Sequence, residues 1–281
     1  MLGAIIGDMV GSVYQYQRIK TKDFPIFNVR NHETDDSILT RAVAKILLKY
    51  YPISFDADNL KTIQDELITR FSNYCIGKET VGWGADFYIW AHLPSSIKKP
   101  YNSFGNGSAM RISPVGWMAK NEEEVKILSR TVTEITHNHP EGLKGAETIA
   151  MCIFLALQGK SKEQIKDYVI KNYYPRVADL DYSSLLENYD FDVTCQGSVP
   201  EAIFCFLISD SLEDAIRNAI SIGGDSDTLA AMTGSIAEAF YQKDSLSTFE
   251  NKFLYLFIDP ETEKLITDLH AAIKSVKFKK K

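Results

Sequence analysis

At 281 residues, with 45% hydrophobic and 24% charged side chains, the chain has the composition of a soluble globular protein large enough to bury a core without disulfides. A formal net charge of −6 excludes a general attraction to nucleic acid or to an anionic membrane surface. Cys75, Cys152, Cys195 and Cys205 show neither CxxC nor knuckle spacing. Disulfides and structural zinc are therefore not expected, and a reducing, cytoplasmic compartment is.

The N-terminal run MLGAIIGDMVGS is apolar but has no basic leader and is interrupted by Asp8, so it reads as neither a signal peptide nor a membrane span. Helical periodicity then marks segments 38–51, 60–74, 122–135, 145–157, 162–173, 199–207, 212–222, 229–241 and 264–276. Ser161 with Gln164 forms a capping-box signature, and Ser211 before Leu212-Glu213-Asp214 a looser version. Loops are expected at 77–84, 94–107, 138–142 and 174–197. The closing Lys277-Phe278-Lys279-Lys280-Lys281 reads as a solvated helix end. Strict alternation of the β type is absent, and no linker, repeat or low-complexity segment divides the chain. The expectation is one compact all-α domain over residues 1–281.

Two short acidic clusters carry the chemistry. Thr34-Asp35-Asp36-Ser37 and Gly223-Gly224-Asp225-Ser226-Asp227-Thr228 each run straight into an apolar helical stretch. Helix capping is the plain alternative, because Ser, Thr and Asp are preferred caps and suit the positive end of the helix dipole. Capping needs one acceptor, however, not two carboxylates and a hydroxyl. If the clusters meet, their carboxylates repel one another unless cations intervene. Hard oxygen ligands of this kind suit Mg²⁺ or Mn²⁺. Thr34, Asp35, Asp36, Asp225, Asp227 and Thr228 are the candidate ligands, at two helix N-termini facing each other across a cleft.

Other segments are candidates for the same cleft. Gly105-Asn106-Gly107-Ser108-Ala109-Met110-Arg111 permits close backbone approach to a ligand, although such stretches are also ordinary turns. Gly82-Trp83-Gly84 places an aromatic between glycines. Thr136-His137-Asn138-His139-Pro140 offers two imidazoles, for a metal or for hydrogen bonds within a turn.

Taken together, MLGAIIGDMVGS, ETDDS, YNSFGNGSAMRISPVGW, THNHPEGLKGAE and AISIGGDSDTLAAMTGSIAEA resemble the ADP-ribosylglycohydrolase family, in the same order from Met1 to about Tyr241. The resemblance implies an all-α fold with a central binuclear Mg²⁺ or Mn²⁺ centre. It also implies hydrolysis of the bond between ribose C1″ of ADP-ribose and an acceptor, in an ADP-ribosylated protein or a small conjugate. By the same resemblance, Thr34, Asp35, Asp36, Asp225, Asp227 and Thr228 match the metal ligands, and Asn106, Gly107 and Ser108 the substrate loop. Gly82-Trp83-Gly84 looks like the phosphate-side loop, and His139 is similar to a histidine near the ligand. Asp35 or Asp36 is then the group that orients the attacking water.

One position departs from the family pattern. Gly11-Ser12-Val13-Tyr14 is followed by Gln15, where the family usually has a glutamate. Glutamine keeps shape and a carbonyl acceptor but neither takes a proton nor carries charge. Asp8 is a nearby carboxylate able to substitute. The alternatives to an active glycohydrolase are therefore an ADP-ribose-binding protein impaired at Gln15 and, further off, a two-metal phosphohydrolase. Oligomeric state and acceptor linkage are not legible in the sequence.

Overall fold

The structure, a computed structural model, describes residues 1–79, 81–241 and 246–278. Fifteen α-helices and no strands occur among the described residues: α1 (Leu2–Gly11), α2 (Asp35–Lys49), α3 (Ala57–Gly77), α4 (Ala85–His92), α5 (Gly107–Met110), α6 (Ser113–Met118), α7 (Glu122–Thr133), α8 (Pro140–Leu157), α9 (Lys162–Asn172), α10 (Tyr182–Asn188), α11 (Cys195–Leu207), α12 (Leu212–Ser221), α13 (Ser226–Tyr241), α14 (Thr248–Phe257) and α15 (Pro260–Phe278). One continuous hydrophobic core joins them. No described helix is long and apolar enough to cross a membrane. The four cysteines are buried and free.

At the centre, α1 lies against α13 with almost no side chain between the two backbones. A Cβ on Gly7 would meet the Ala230 carbonyl oxygen at 2.0 Å, one on Gly3 the Gly234 oxygen at 2.2 Å, and one on Gly11 the Ser226 oxygen at 2.4 Å. Both ends of α1 are also tied to α13. The Glu238 carboxylate pairs with the buried N-terminal ammonium and accepts from the N–H groups of Leu2 and Gly3 at 3.0 and 2.8 Å. It thereby satisfies donors that a helix N-terminus leaves without partners. At the other end Ser226 Oγ donates to the Gly11 carbonyl at 2.9 Å.

The capping expectations hold. Ser161 and Gln164 form the reciprocal box on α9, and Ser211 caps α12 by accepting from Asp214 N–H at 3.1 Å. The helix count does not hold, and the reasons are local. All ten residues of α1 are buried, so no polar face marks its period. The expected loop at 138–142 is mostly helix: Pro140 occupies the first turn of α8 and His139 caps it. The expected loop at 174–197 contains a 3₁₀ turn, Pro175–Asp179, together with α10 and the start of α11. Thr194 caps α11, so Pro200 lies within the helix and does not mark its first turn. Lys279, Lys280 and Lys281, part of the basic tail read as a solvated helix end, lie outside the described residues.

Gly7→Ala tests the α1–α13 contact by its sign. In an ordinary helix interior the change stabilises by about 0.5–1 kcal/mol. Here overpacking should reverse it to a loss of about 1–3 kcal/mol. The check is the urea midpoint, and a midpoint that stays put or rises would contradict the contact.

Candidate metal centre

Two loops end where the centre begins. Thr34 is the N-cap of α2, its hydroxyl accepting from Asp36 N–H at 3.3 Å. Capping and the acidic cluster therefore coexist: the threonine serves the helix end and leaves both carboxylates free of that task. At the second cluster Gly223 and Gly224 adopt φ of +73° and +91°, which turns the chain sharply into α13. The helix accordingly begins at Ser226, three residues before the apolar run at 229.

The two clusters meet. Thr228 Oγ1 donates to Asp36 Oδ2 at 3.3 Å across 192 positions of sequence. Oxygens of Asp8, Asp36 and Asp227 converge within 4.8 Å of one another, and all three residues are buried. Asp8 is held by three donors: Thr34 Oγ1 at 2.6 Å, and the backbone N–H groups of Thr34 and Ser37 at 3.0 Å each. Asp36 Oδ1 is buried and has no hydrogen-bond donor at all. An acceptor in that state needs a cation or a proton.

The electrostatics agree. Burial first, and then Asp8 and Asp227, push the Asp36 carboxyl well above the usual carboxylate range. Burial, Asp225 and Asp8 do the same to Asp227. Asp35, the partly exposed member, is raised to about 8 by desolvation with Asp8 and Asp225 adding to it. Burial also raises Asp8, against the hydrogen bonds from Ser37 and Thr34. A dense set of hard oxygen donors, one of them unpartnered, fits a divalent cation such as Mg²⁺ or Mn²⁺.

Asp225 is arranged differently. Its Oδ1 accepts from Gln15 Nε2 at 3.2 Å and its Oδ2 from Asn106 Nδ2 at 2.8 Å. Two amides thus bracket it and join the Gln15 loop to the Asn106 loop. The remaining candidates sit further out in their bonding. Ser108 Oγ donates inward to the Gly142 carbonyl at 2.8 Å, and Gly107 packs close to the His137 ring. His139 accepts from Glu141 N–H through Nδ1 at 3.1 Å and lies 5.3 Å from the exposed Phe104 ring. Of the two readings of the imidazole pair, hydrogen bonding in the turn is the one seen at His139. Trp83 donates to the Lys78 carbonyl and stacks on Phe87, between the exposed Gly82 and Gly84.

Asp8 is the residue that sequence reasoning undervalued: it was a stand-in for position 15 and is instead one of three converging carboxylates. The signal was present, since Asp8 is the one charged residue in a run of buried apolar ones and such a carboxylate requires a partner.

Comparison with known proteins then decides the family. The ADP-ribosylglycohydrolase family model matches residues 1–271. The chain belongs to the ADP-ribosylglycohydrolase family. Among its relatives, ADP-ribosylhydrolase ARH3 of Mus musculus is 27% identical, across 96% of this chain and 90% of the mouse protein. ADP-ribosylarginine hydrolase Tri1 of Pseudomonas putida is 23% identical, across 86% of this chain and 69% of its own length. A solved structure described as an ADP-ribosylglycohydrolase-related protein complex superposes with a TM-score of 0.70, covering 97% of both chains at 22% identity, which shows a shared fold. The ADP-ribosylglycohydrolase family is one of ADP-ribosyl hydrolase enzymes, and the all-α architecture here is its fold.

A raised carboxyl pKa binds more protons folded than unfolded, so its contribution to stability is lost as pH rises toward the folded value. For Asp35 that window runs from its ordinary 3.8 to about 8. In metal-free buffer, Asp35→Asn should therefore gain thermal stability relative to the unsubstituted chain as pH increases from about 5 to about 8. Melting curves at stepped pH check this, and a pH-independent difference would contradict the acidic repulsion.

Proposed function

We propose that this chain is a divalent-metal-dependent hydrolase that releases ADP-ribose from a protein or small conjugate by cleaving the bond at ribose C1″. The observation that carries the reading is the buried convergence of Asp8, Asp36 and Asp227 within a chain of this family. Hydrolysis of such conjugates is supported by the names of its relatives, one of which acts on ADP-ribosylarginine. Thr34, Asp35, Asp36, Asp225, Asp227 and Thr228, with Asp8 added, would hold two Mg²⁺ or Mn²⁺ ions. When bound, such ions supply Lewis acidity that orders ribose hydroxyls and makes water a better nucleophile.

The chain's own residues divide the remaining work. Asp35 is partly exposed where Asp36 is buried, so Asp35 reaches an incoming water, orients it and takes its proton. The surrounding carboxylates offset the positive charge that develops at C1″ as the bond breaks. Asn106 and Gln15 fix Asp225 from either side. Gly82, Trp83 and Gly84, with Asn106, Gly107, Ser108 and His139, form the approach for the rest of the ADP-ribose.

A second reading rests on Gln15 itself. Its amide donates to Asp225, which an ionised glutamate at that position does not do. A chain so built can keep the pocket while turning over slowly, as an ADP-ribose-binding protein. The test is release of ADP-ribose from ADP-ribosyl-arginine and ADP-ribosyl-serine peptides. Asp36→Ala and Asp227→Ala should each cut the rate by at least about a hundredfold, the upper end of what outer-shell changes cost a metal site. Wild-type rates in either variant would sink the metal-centre assignment. A rate that appears only in Gln15→Glu would favour the binding protein, and release of AMP or phosphate would favour a phosphohydrolase.

A further inference from the structure

Arg111 is fully buried, an unusual place for a guanidinium. Nη2 donates to Thr136 Oγ1 at 2.6 Å, while Nε and Nη1 have no partner. The Phe71 ring lies 4.8 Å from its central carbon, a contact that accommodates the flat face of the cation without satisfying its donors. Burial pushes the group down to about 10, against the fields of Tyr101 and Asp35. A buried charge without a matched counter-charge is costly and is kept only where something else requires it.

What lies next to Arg111 is the acidic centre. Met110, immediately before it, accepts from Thr40 Oγ1 through its carbonyl at 3.4 Å and meets Thr228 Oγ1 through Sδ at 4.0 Å. Thr40 is one turn beyond Asp36 on α2, and Thr228 follows Asp227 on α13. The end of α5 is thus wedged between the two helix N-termini that carry the carboxylates, and its arginine comes with it. Asp35 and Arg111 feel each other's charge from this arrangement.

We propose that Arg111 is a positioning residue of fixed positive charge that sets the ion capacity of the centre. This rests on the metal-dependent reading above. Asp8, Asp35, Asp36, Asp225 and Asp227 act on one another as a single cluster. With Arg111 added, the ionised cluster carries the charge that two divalent cations neutralise. Gln15, being neutral, leaves that balance intact. Without Arg111 the loaded site would remain anionic and hold its ions too tightly, or accept one more.

The test is calorimetric titration of Mg²⁺ and Mn²⁺ into metal-stripped protein, comparing the wild type with Arg111→Met, Arg111→Gln and Arg111→Lys. Removing the charge in Met or Gln should tighten binding by about tenfold or more, because a nearby repulsive charge is gone. Arg111→Lys, which keeps the charge, should stay near wild type. A merely structural arginine gives the opposite sign, since disturbed ligands bind more weakly. Equal or weaker affinity in Met and Gln overturns the proposal, as does failure of both to fold with or without ion. A wild type that binds neither ion overturns the metal reading and this proposal together, whereas wild-type binding with unchanged variants overturns only the role of Arg111.

Discussion

The contact between α1 and α13 governs what this chain can do. Gly3, Gly7 and Gly11 let one helix backbone rest on another, and Glu238 and Ser226 pin the two ends. Asp8 sits on α1 between Gly7 and Gly11, while Asp227 opens α13. Backbone contact therefore fixes the distance between two buried carboxylates before any ligand is present. Side chains of ordinary size between these helices would hold the acids apart and leave each to be neutralised separately.

The third acid arrives through helix capping. Thr34 ends the loop ahead of α2, serves Asp36 N–H, and donates its hydroxyl to Asp8. One threonine thus couples the start of α2 to α1, and Thr228 couples it to α13. The result is a concentration of negative charge that folding alone makes unfavourable. Raised carboxyl pKa values express that cost, and cations or protons offset it. Sites of this kind are destabilised for a purpose: the affinity for the ligand is drawn from the repulsion it relieves.

Around this centre the loops are joined to one another more than to the core. Gln15 and Asn106 both hold Asp225, and Asn106 N–H donates to the Val193 carbonyl at 2.8 Å. Arg18 pairs with Asp190 at 2.6 Å, and Lys20 donates to the Tyr189 carbonyl at 2.6 Å. The segment 189–194 therefore spans the Gln15 loop and the Asn106 loop. Substitutions in any of the three loops reach Asp225 through one or two hydrogen bonds. How much of this was legible follows from the physics. TDDS and GGDSDT were visible because clustered carboxylates with hydroxyls exceed what capping requires. Asp8 was undervalued because its helix has no polar face, and α10 and the start of α11 were missed because short, capped helices look like loops. Pairings such as Gln15 with Asp225, 210 residues apart, exist only once the chain is folded.

The measurement that bears most directly on the account is calorimetric binding of ADP-ribose, first with Mg²⁺ supplied and then after chelation. The account predicts binding with Mg²⁺ that is lost or sharply weakened when the ion is removed. Binding of equal strength in both conditions, or none in either, would contradict it.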